Sequence, residues 1–291
     1  MSSQVIVFVT DERYLPHYKS LAVNCRNEGQ YTGDFLCICP DTGEPWIDDL
    51  ASRDFQIVHV PDRTFFAKFN VFHPDVRQWD RAMYLDADII VQSALQPLFD
   101  QLESLPRDDS GGKPIIAGVE DQPAIMVWER NAIKAENGDP LLDRLLAEYP
   151  CVREQFWNTS TMIFEPSSIP DGTIETLRSL QIEFHAINDP DKDGTDQQIM
   201  HICLFDRFSQ VKDKGFCYWG LDEFASRVPS VGRGWRGDEI PVVVHYCRWY
   251  APWIVKTPDA DAYDNNRIGR VCHEFYSDNL AAFDEIFPIK G

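Results

Sequence analysis

The sequence predicts an α/β chain: a Rossmann-like, mixed but mostly parallel central sheet flanked by helices. Three observations predict it. The N-terminal run "QVIVFVT" (4–10) is continuously apolar and β-branched, as in a strand buried on both faces. Helix-period and strand-like segments then alternate, the order of a doubly wound sheet. A composition of 44% hydrophobic and 12% aromatic over 291 residues supplies a large core and argues against disorder.

The elements follow in order. "YLPHYKSLAVNCRNEG" (14–29) reads as a helix, with Leu15, Tyr18, Leu21 and Ala22 at helical spacing and Gly29 suited to its end. "DFLCICP" (34–40) and "FQIVHV" (55–60) read as strands. "TFFAKFNVFHP" (64–74) reads as a helix that Pro74 ends. "RAMYLD" (81–86) is the next strand, running into "DADIIV" and the turn-prone "SALQPLFD". After the polar loop "PRDDSGGKP", "PIIAGVE" (114–120) is strand-like. Residues 121–155 have weak periodicity except for a short helix at "PLLDRLLAEY" (140–149). "FWNTSTMIFEP" (156–166) alternates like a mixed-sheet strand. "GTDQQIMHICLF" (194–205) is a helix: Thr195 and Gln198 have capping-box spacing, and Ile199, Ile202 and Cys203 form one stripe. "PVVVHYC" (241–247) is a last buried strand, and the tail (262–287) carries an amphipathic helix. The chain has no repeats and no linker long enough to divide it.

The net charge of −20 opposes phosphate backbones and anionic lipid surfaces, so no nucleic-acid partner is expected. Eight scattered cysteines without CxxC pairs read as buried free thiols, a metal or disulfide role being the alternative. The N-terminus has no basic n-region, and no run of about 18 apolar residues occurs. The expectation is a soluble, cytoplasmic protein without an integral membrane segment.

Three features carry chemistry. In "MYLDADIIV", Tyr84, Asp86 and Asp88 share strand parity. Fully extended, residues two apart lie about 6.5–7 Å from each other. Both carboxylates reach one ion only if the chain bends after Asp86. Ala87 is small enough to allow that bend and the close approach of a ligand. Asp86 falls at a strand's carboxyl end, where open parallel sheets bind ligands. Taken alone, the segment is either a solvated strand end or a site for a hard divalent cation. His245 closes a buried strand; it is a core histidine or a further ligand, since imidazole plus carboxylates suits manganese-like ions. In "NDPDKDGTDQQ", Asp189, Asp191, Asp193 and Gly194 match the first half of a calcium loop, but Met200 stands where a bidentate Glu is required, so that reading fails. Asp196 then either supports the helix start or aims a carboxylate at a reacting centre.

The set "VTDERY", "LDADIIV", "WNTSTMIF", "GTDQQI" and "HYCRWYAPW", in that order, resembles glycosyltransferase family 8 over roughly residues 4–253. That group comprises GT-A-fold retaining sugar transferases, among them glycogenin and bacterial lipopolysaccharide galactosyl- and glucosyltransferases. The resemblance implies a hexosyltransferase that uses a UDP-sugar (UDP-glucose or UDP-galactose), Mn²⁺ or Mg²⁺, and a glycan acceptor. It implies metal ligands at Asp86, Asp88 and His245. It implies nucleotide contacts at Val9, Thr10, Asp11 and Tyr14, and a donor contact at Lys68, about 18 positions before Asp86. Asn158, Thr159 and Ser160 would hold the donor sugar, and Asp196 and Gln197 would lie at the reacting sugar. The implied organisation is one domain over 1–291: a nucleotide-binding half (1–100), a donor-sugar and acceptor half (101–255) and a helical tail (256–291).

The chain departs from the family's closing motif, HYxGxxKPW, with Arg248 at the Gly position and Ala251 at the Lys position. That Lys normally binds the leaving diphosphate. Arg248, Arg233 and Arg236 are the candidate replacements, because guanidinium binds phosphate bidentately. Trp157, Trp219, Trp235, Trp249 and Trp253 are packing residues or sugar-stacking platforms. Two other classes compete. A haloacid-dehalogenase-type phosphohydrolase also carries hhhhDxD, but on its first strand. A non-catalytic nucleotide-sugar binder would fit the missing Lys.

Overall fold

The computed structural model describes residues 3–40, 43–61, 65–109, 111–123, 125–188, 196–210, 216–219, 242–246 and 275–290. Seven strands form the main sheet: β1 (Gln4–Val9), β2 (Asp34–Pro40), β3 (Phe55–Val60), β4 (Arg81–Leu85), β6 (Ile115–Pro123), β7 (Gln155–Phe164) and β8 (Phe208–Gln210). Their order is β3-β2-β1-β4-β7-β6-β8. The pairs β1–β2, β2–β3, β1–β4 and β6–β8 are parallel, and β7 lies antiparallel between β4 and β6. The strand "FWNTSTMIF" predicted for a mixed sheet is therefore the antiparallel insert.

Alternation along β1 divides the core. Val5 and Val7 enter one apolar layer; Ile6 and Phe8 enter the other. Because both faces are covered, β1 needs no polar alternation. One layer packs on α1 (Leu15–Asn27), α2 (Pro45–Ala51) and α3 (Gln96–Ser104), and includes Phe283 and Phe287 from the tail. The other packs on α4 (Ile125–Lys134), α5 (Gly138–Glu148), α6 (Thr173–Glu183) and α7 (Asp196–Leu204).

A second sheet of three strands joins β5 (Ile89–Val91), β10 (Val243–Tyr246) and β9 (Phe216–Trp219) in the order β5-β10-β9. The predicted last strand thus leaves the main sheet and pairs antiparallel with the residues just after the Asp-Ala-Asp turn, His245 opposite Ile89. In such a pair, alternate residues turn their N–H and C=O away from the partner. Asn24 of α1 meets both of these groups on Val91, receiving from its N–H at 2.7 Å and donating to its C=O at 2.9 Å.

The predicted helix over 64–74 is instead two 3₁₀ segments, Phe65–Phe72 and Pro74–Gln78. Lys68, Phe69, Asn70, Val71 and Phe72 are five consecutive buried residues, so this part of the stretch shows no helical stripe. In the region of weak periodicity lies α4, and α6 occupies a stretch for which no element was predicted. Thr195 of the expected capping box and the Asp189–Gly194 loop fall outside the described residues. Gly29 ends α1 for a steric reason: a Cβ there would sit 2.5 Å from the Cys25 carbonyl oxygen. Cys25, Cys37, Cys39, Cys151 and Cys203 form no disulfide; the first three are buried, as expected, and Cys151 and Cys203 are half-buried. Among the described residues no helix is long and apolar enough to cross a membrane.

Candidate functional site

Building of the sheet reverses direction between β1 and β4. Strands β2 and β3 extend it one way from β1, and β4, β7, β6 and β8 the other. Ligands in open α/β sheets bind outside the carboxyl ends of strands at such a switch point. The β1 end leads into Thr10 and Asp11; the β4 end leads into Asp86.

The chain does bend after Asp86. Ile89 N–H returns to the Asp86 carbonyl at 3.2 Å, closing a tight turn over Ala87 and Asp88. Asp86 N–H donates to the Ser160 carbonyl of β7 at 2.7 Å, which fixes the start of that turn. One ligand atom each from Asp86, Asp88 and His245 lie within 4.8 Å of one another. An ion with bonds of about 2.1–2.4 Å places its opposed ligands at roughly twice that distance, so this set fits one hard divalent cation. The aspartate side chains are 25% and 21% exposed, open enough for an ion to enter, while His245 is buried. His245 Nε2 lies 3.2 Å from Asp88 Oδ1, and Asn158 Nδ2 lies 3.5 Å from His245 Nδ1.

A second cluster adjoins the first. Lys68 Nζ lies 3.1 Å from Asp86 Oδ2 and 3.2 Å from Asp196 Oδ2. Burial opposes the charge on Lys68, but the carboxylates of Asp196 and Asp86 win and hold its pKa above the ordinary value. Burial raises the Asp196 carboxyl, and Asp86 adds to the rise, while Lys68 pulls it back. At His245, burial opposes protonation, but Asp88 and then Asp86 prevail and raise its pKa. Tyr84 donates its hydroxyl to Asp86 Oδ1 from beneath, and its ring lies 5.1 Å from the Lys68 ammonium.

Asn158–Ser160 lie within β7, opposite a register shift in β6, and meet α7 here. Asn158 Oδ1 accepts from Ser160 N–H at 2.9 Å and from the Ser160 hydroxyl. Thr159 N–H donates to Gln197 Oε1 at 3.1 Å. Asp196 opens α7, where the helix dipole favours an anion. In the first loop, Thr10 is buried with its hydroxyl on the Asp11 carbonyl, and Asp11 Oδ1 accepts from Tyr14 N–H at 3.2 Å. Tyr14 packs edge-on against His17, with centroids 5.9 Å apart, and His17 bonds Tyr276 of the tail at 3.0 Å.

No family model and no curated protein matches this chain. Solved structures do. The glycosyltransferase GlyE of Streptococcus pneumoniae TIGR4 aligns over 100% of this chain and 66% of its own, at 18% identity and a TM-score of 0.58. This chain therefore spans about two thirds of GlyE. The galactosyltransferase LgtC, solved with donor and acceptor sugar analogues, aligns over 93% of this chain and 95% of its own, at 15% identity and 0.55. The fold is the GT-A glycosyltransferase fold. A variant of LgtC with an active-site glutamine changed to glutamate aligns at 14% identity and 0.57, over 93% of this chain and 95% of that one. The bifunctional glycosyltransferase WbbM aligns at 15% and 0.54, over 99% of this chain and 51% of its own.

On this GT-A framework, Lys68, Asp86, Asp88, Asn158, Thr159, Ser160, Asp196, Gln197 and His245 form one connected network. Val9 and Ala87 pack partly buried against the two core layers. Arg248, Ala251, Arg233 and Arg236 lie outside the described residues, as do Trp235, Trp249 and Trp253. Trp157 stacks on Phe208 at 5.5 Å within the core and is a packing residue. Sequence reasoning missed the hydroxyl bond from Tyr84 to Asp86, although their shared strand parity signals it. It also missed His17 and Tyr276, which no local pattern marks.

Proposed function

We propose that this chain is a metal-dependent retaining glycosyltransferase that moves a hexose from UDP-glucose or UDP-galactose to an acceptor hydroxyl, on a glycan. One observation carries the reading: His245, distant in sequence, converges with Asp86 and Asp88 within 4.8 Å at the switch point of a GT-A sheet. Asp86, Asp88 and His245 would hold Mn²⁺ or Mg²⁺. When bound, such an ion stabilises the negative charge that develops on the departing diphosphate.

The chain's own groups then divide the work. Val9, Thr10, Asp11 and Tyr14 bind the nucleotide, and Ala87 leaves room for it beside the turn. Lys68 supplies a buried positive charge next to the donor. Asn158, Thr159 and Ser160 position the sugar. The C1–O bond to the diphosphate breaks and a bond to the acceptor oxygen forms on the same face of the sugar, by one of two routes: same-face attack, with the departing phosphate oxygen taking the acceptor's proton, or a covalent intermediate on a side chain that the acceptor then displaces. Asp196 and Gln197 lie beside the oxocarbenium-like centre and stabilise its positive charge. LgtC, which shares this fold, also has an active-site glutamine. Arg248 is the candidate that replaces the family Lys at the diphosphate.

The test is UDP release from UDP-glucose and UDP-galactose, in Mn²⁺ and in EDTA, with sugar or oligosaccharide acceptors. Metal-dependent release supports the proposal. The missing Lys at Ala251 favours a second reading, a nucleotide-sugar binder; tight UDP binding without turnover on any donor or acceptor would establish it.

A further inference from the structure

We propose that Lys68 is a positioning residue that couples the metal-ligating carboxylates to Asp196: Asp196 draws the ammonium aside and thereby permits metal binding at Asp86. This rests on the metal reading above. Its ground is the sharing of one ammonium between two anions, Asp86 Oδ2 at 3.1 Å and Asp196 Oδ2 at 3.2 Å. Lys68 and Asp196 are both buried, so little water is at hand to replace either partner. Among the described residues, these two carboxylates are the ion-pair partners of Lys68. The other oxygen of Asp86 takes the Tyr84 hydroxyl. A cation entering at Asp86 therefore shares an oxygen with Lys68 or with Tyr84. Asp88 is the less encumbered ligand, with His245 as its ion-pair partner.

The direction follows from Coulomb repulsion. An ammonium and a divalent ion on one carboxylate repel each other. With Asp196 charged, Lys68 has a second anion to lean on and yields Asp86. With residue 196 uncharged, Asp86 is its remaining ion-pair anion, and Lys68 competes with the metal. Without Lys68, no cationic side chain among the described residues pairs with Asp86. Asp196 can then act on the ion only through its direct field.

The experiment titrates Mn²⁺ alone, without nucleotide, and follows free Mn²⁺ by electron paramagnetic resonance. It compares the wild type with Asp196→Asn, Lys68→Met, the double variant and Asp88→Asn, with thermal melts confirming folding. Lys68→Gln stands in if Lys68→Met does not fold. Asp196→Asn should bind Mn²⁺ about 5-fold more weakly or worse. Lys68→Met should bind more tightly than wild type, and in its background the Asp196→Asn loss should shrink at least by about half. A loss equally large or larger without Lys68 would reveal a direct field effect and overturn the coupling. So would Mn²⁺ affinity that ignores Asp196→Asn. If the wild type takes up no more Mn²⁺ than Asp88→Asn, the metal reading itself fails, and the coupling fails with it.

Discussion

Asn24→Ala is the substitution that tests how the site is held in place. Asn24 is 2% exposed and Val91 is fully buried. Its side-chain amide serves as a short strand edge for Val91, with bonds of 2.7 and 2.9 Å. Alanine leaves a buried N–H and a buried C=O without these partners. Each orphaned group costs about 1–3 kcal/mol, so the loss should be about 2–6 kcal/mol. With a urea slope near 3 kcal/mol per molar, the denaturation midpoint falls by about 1 M. The damage should also reach the site, because β5 joins the Asp88 turn to the His245 strand. Chemical denaturation and a Mn²⁺ titration of the same preparation measure both effects. A midpoint within about 0.2 M of wild type would refute the claim that the Asn24 amide secures β5. Lost stability with unchanged Mn²⁺ affinity would refute the claim that β5 positions the ligands.

Three other outcomes are expected. Asp196→Ala should cut turnover by about 100-fold or more while changing UDP affinity far less, as steady-state kinetics and calorimetry would show; equal losses would make Asp196 a shape residue. His201 is buried and its pKa is lowered from 6.5 to about 4, mainly by burial, so the folded state refuses a proton that the unfolded state accepts. Its contribution is intact above pH 6.5 and is lost as pH falls towards 4, totalling about 3 kcal/mol, and His201→Gln should flatten that part of the stability profile. Gly138→Ala should lower the melting temperature by several degrees, because a Cβ there presses on the backbone carbonyl of Ala132 across the α4–α5 connection.

Much of the first 100 residues was legible because their signals are local. β1 is buried on both faces and reads as an unbroken apolar run, and the two aspartates mark where such a run meets solvent. The bend at Ala87 and the convergence with His245 needed three dimensions, although the residue types suggested a candidate ligand set. α4 was illegible for a physical reason. Its outward face carries Met126 and Ile133, which are 54% and 82% exposed, while Asn131 is turned inward, so its polarity pattern is scrambled. The 3₁₀ segment Phe65–Phe72 hides for the opposite reason, since Lys68, Asn70 and their neighbours are all buried. The Lys68–Asp86–Asp196 triad crosses three elements, and no spacing rule in one dimension records it. The tail's contact with His17 has the same character, the partners being 259 positions apart in sequence.

The most direct test of the central claim is the affinity for UDP, measured by calorimetry with Mn²⁺ and with EDTA, on the wild type and on Asp88→Asn. The account expects UDP binding to weaken at least about tenfold when Mn²⁺ is withdrawn, and Asp88→Asn to bind UDP equally weakly with or without the ion while melting like the wild type. UDP affinity that is indifferent to both Mn²⁺ and Asp88 would contradict it.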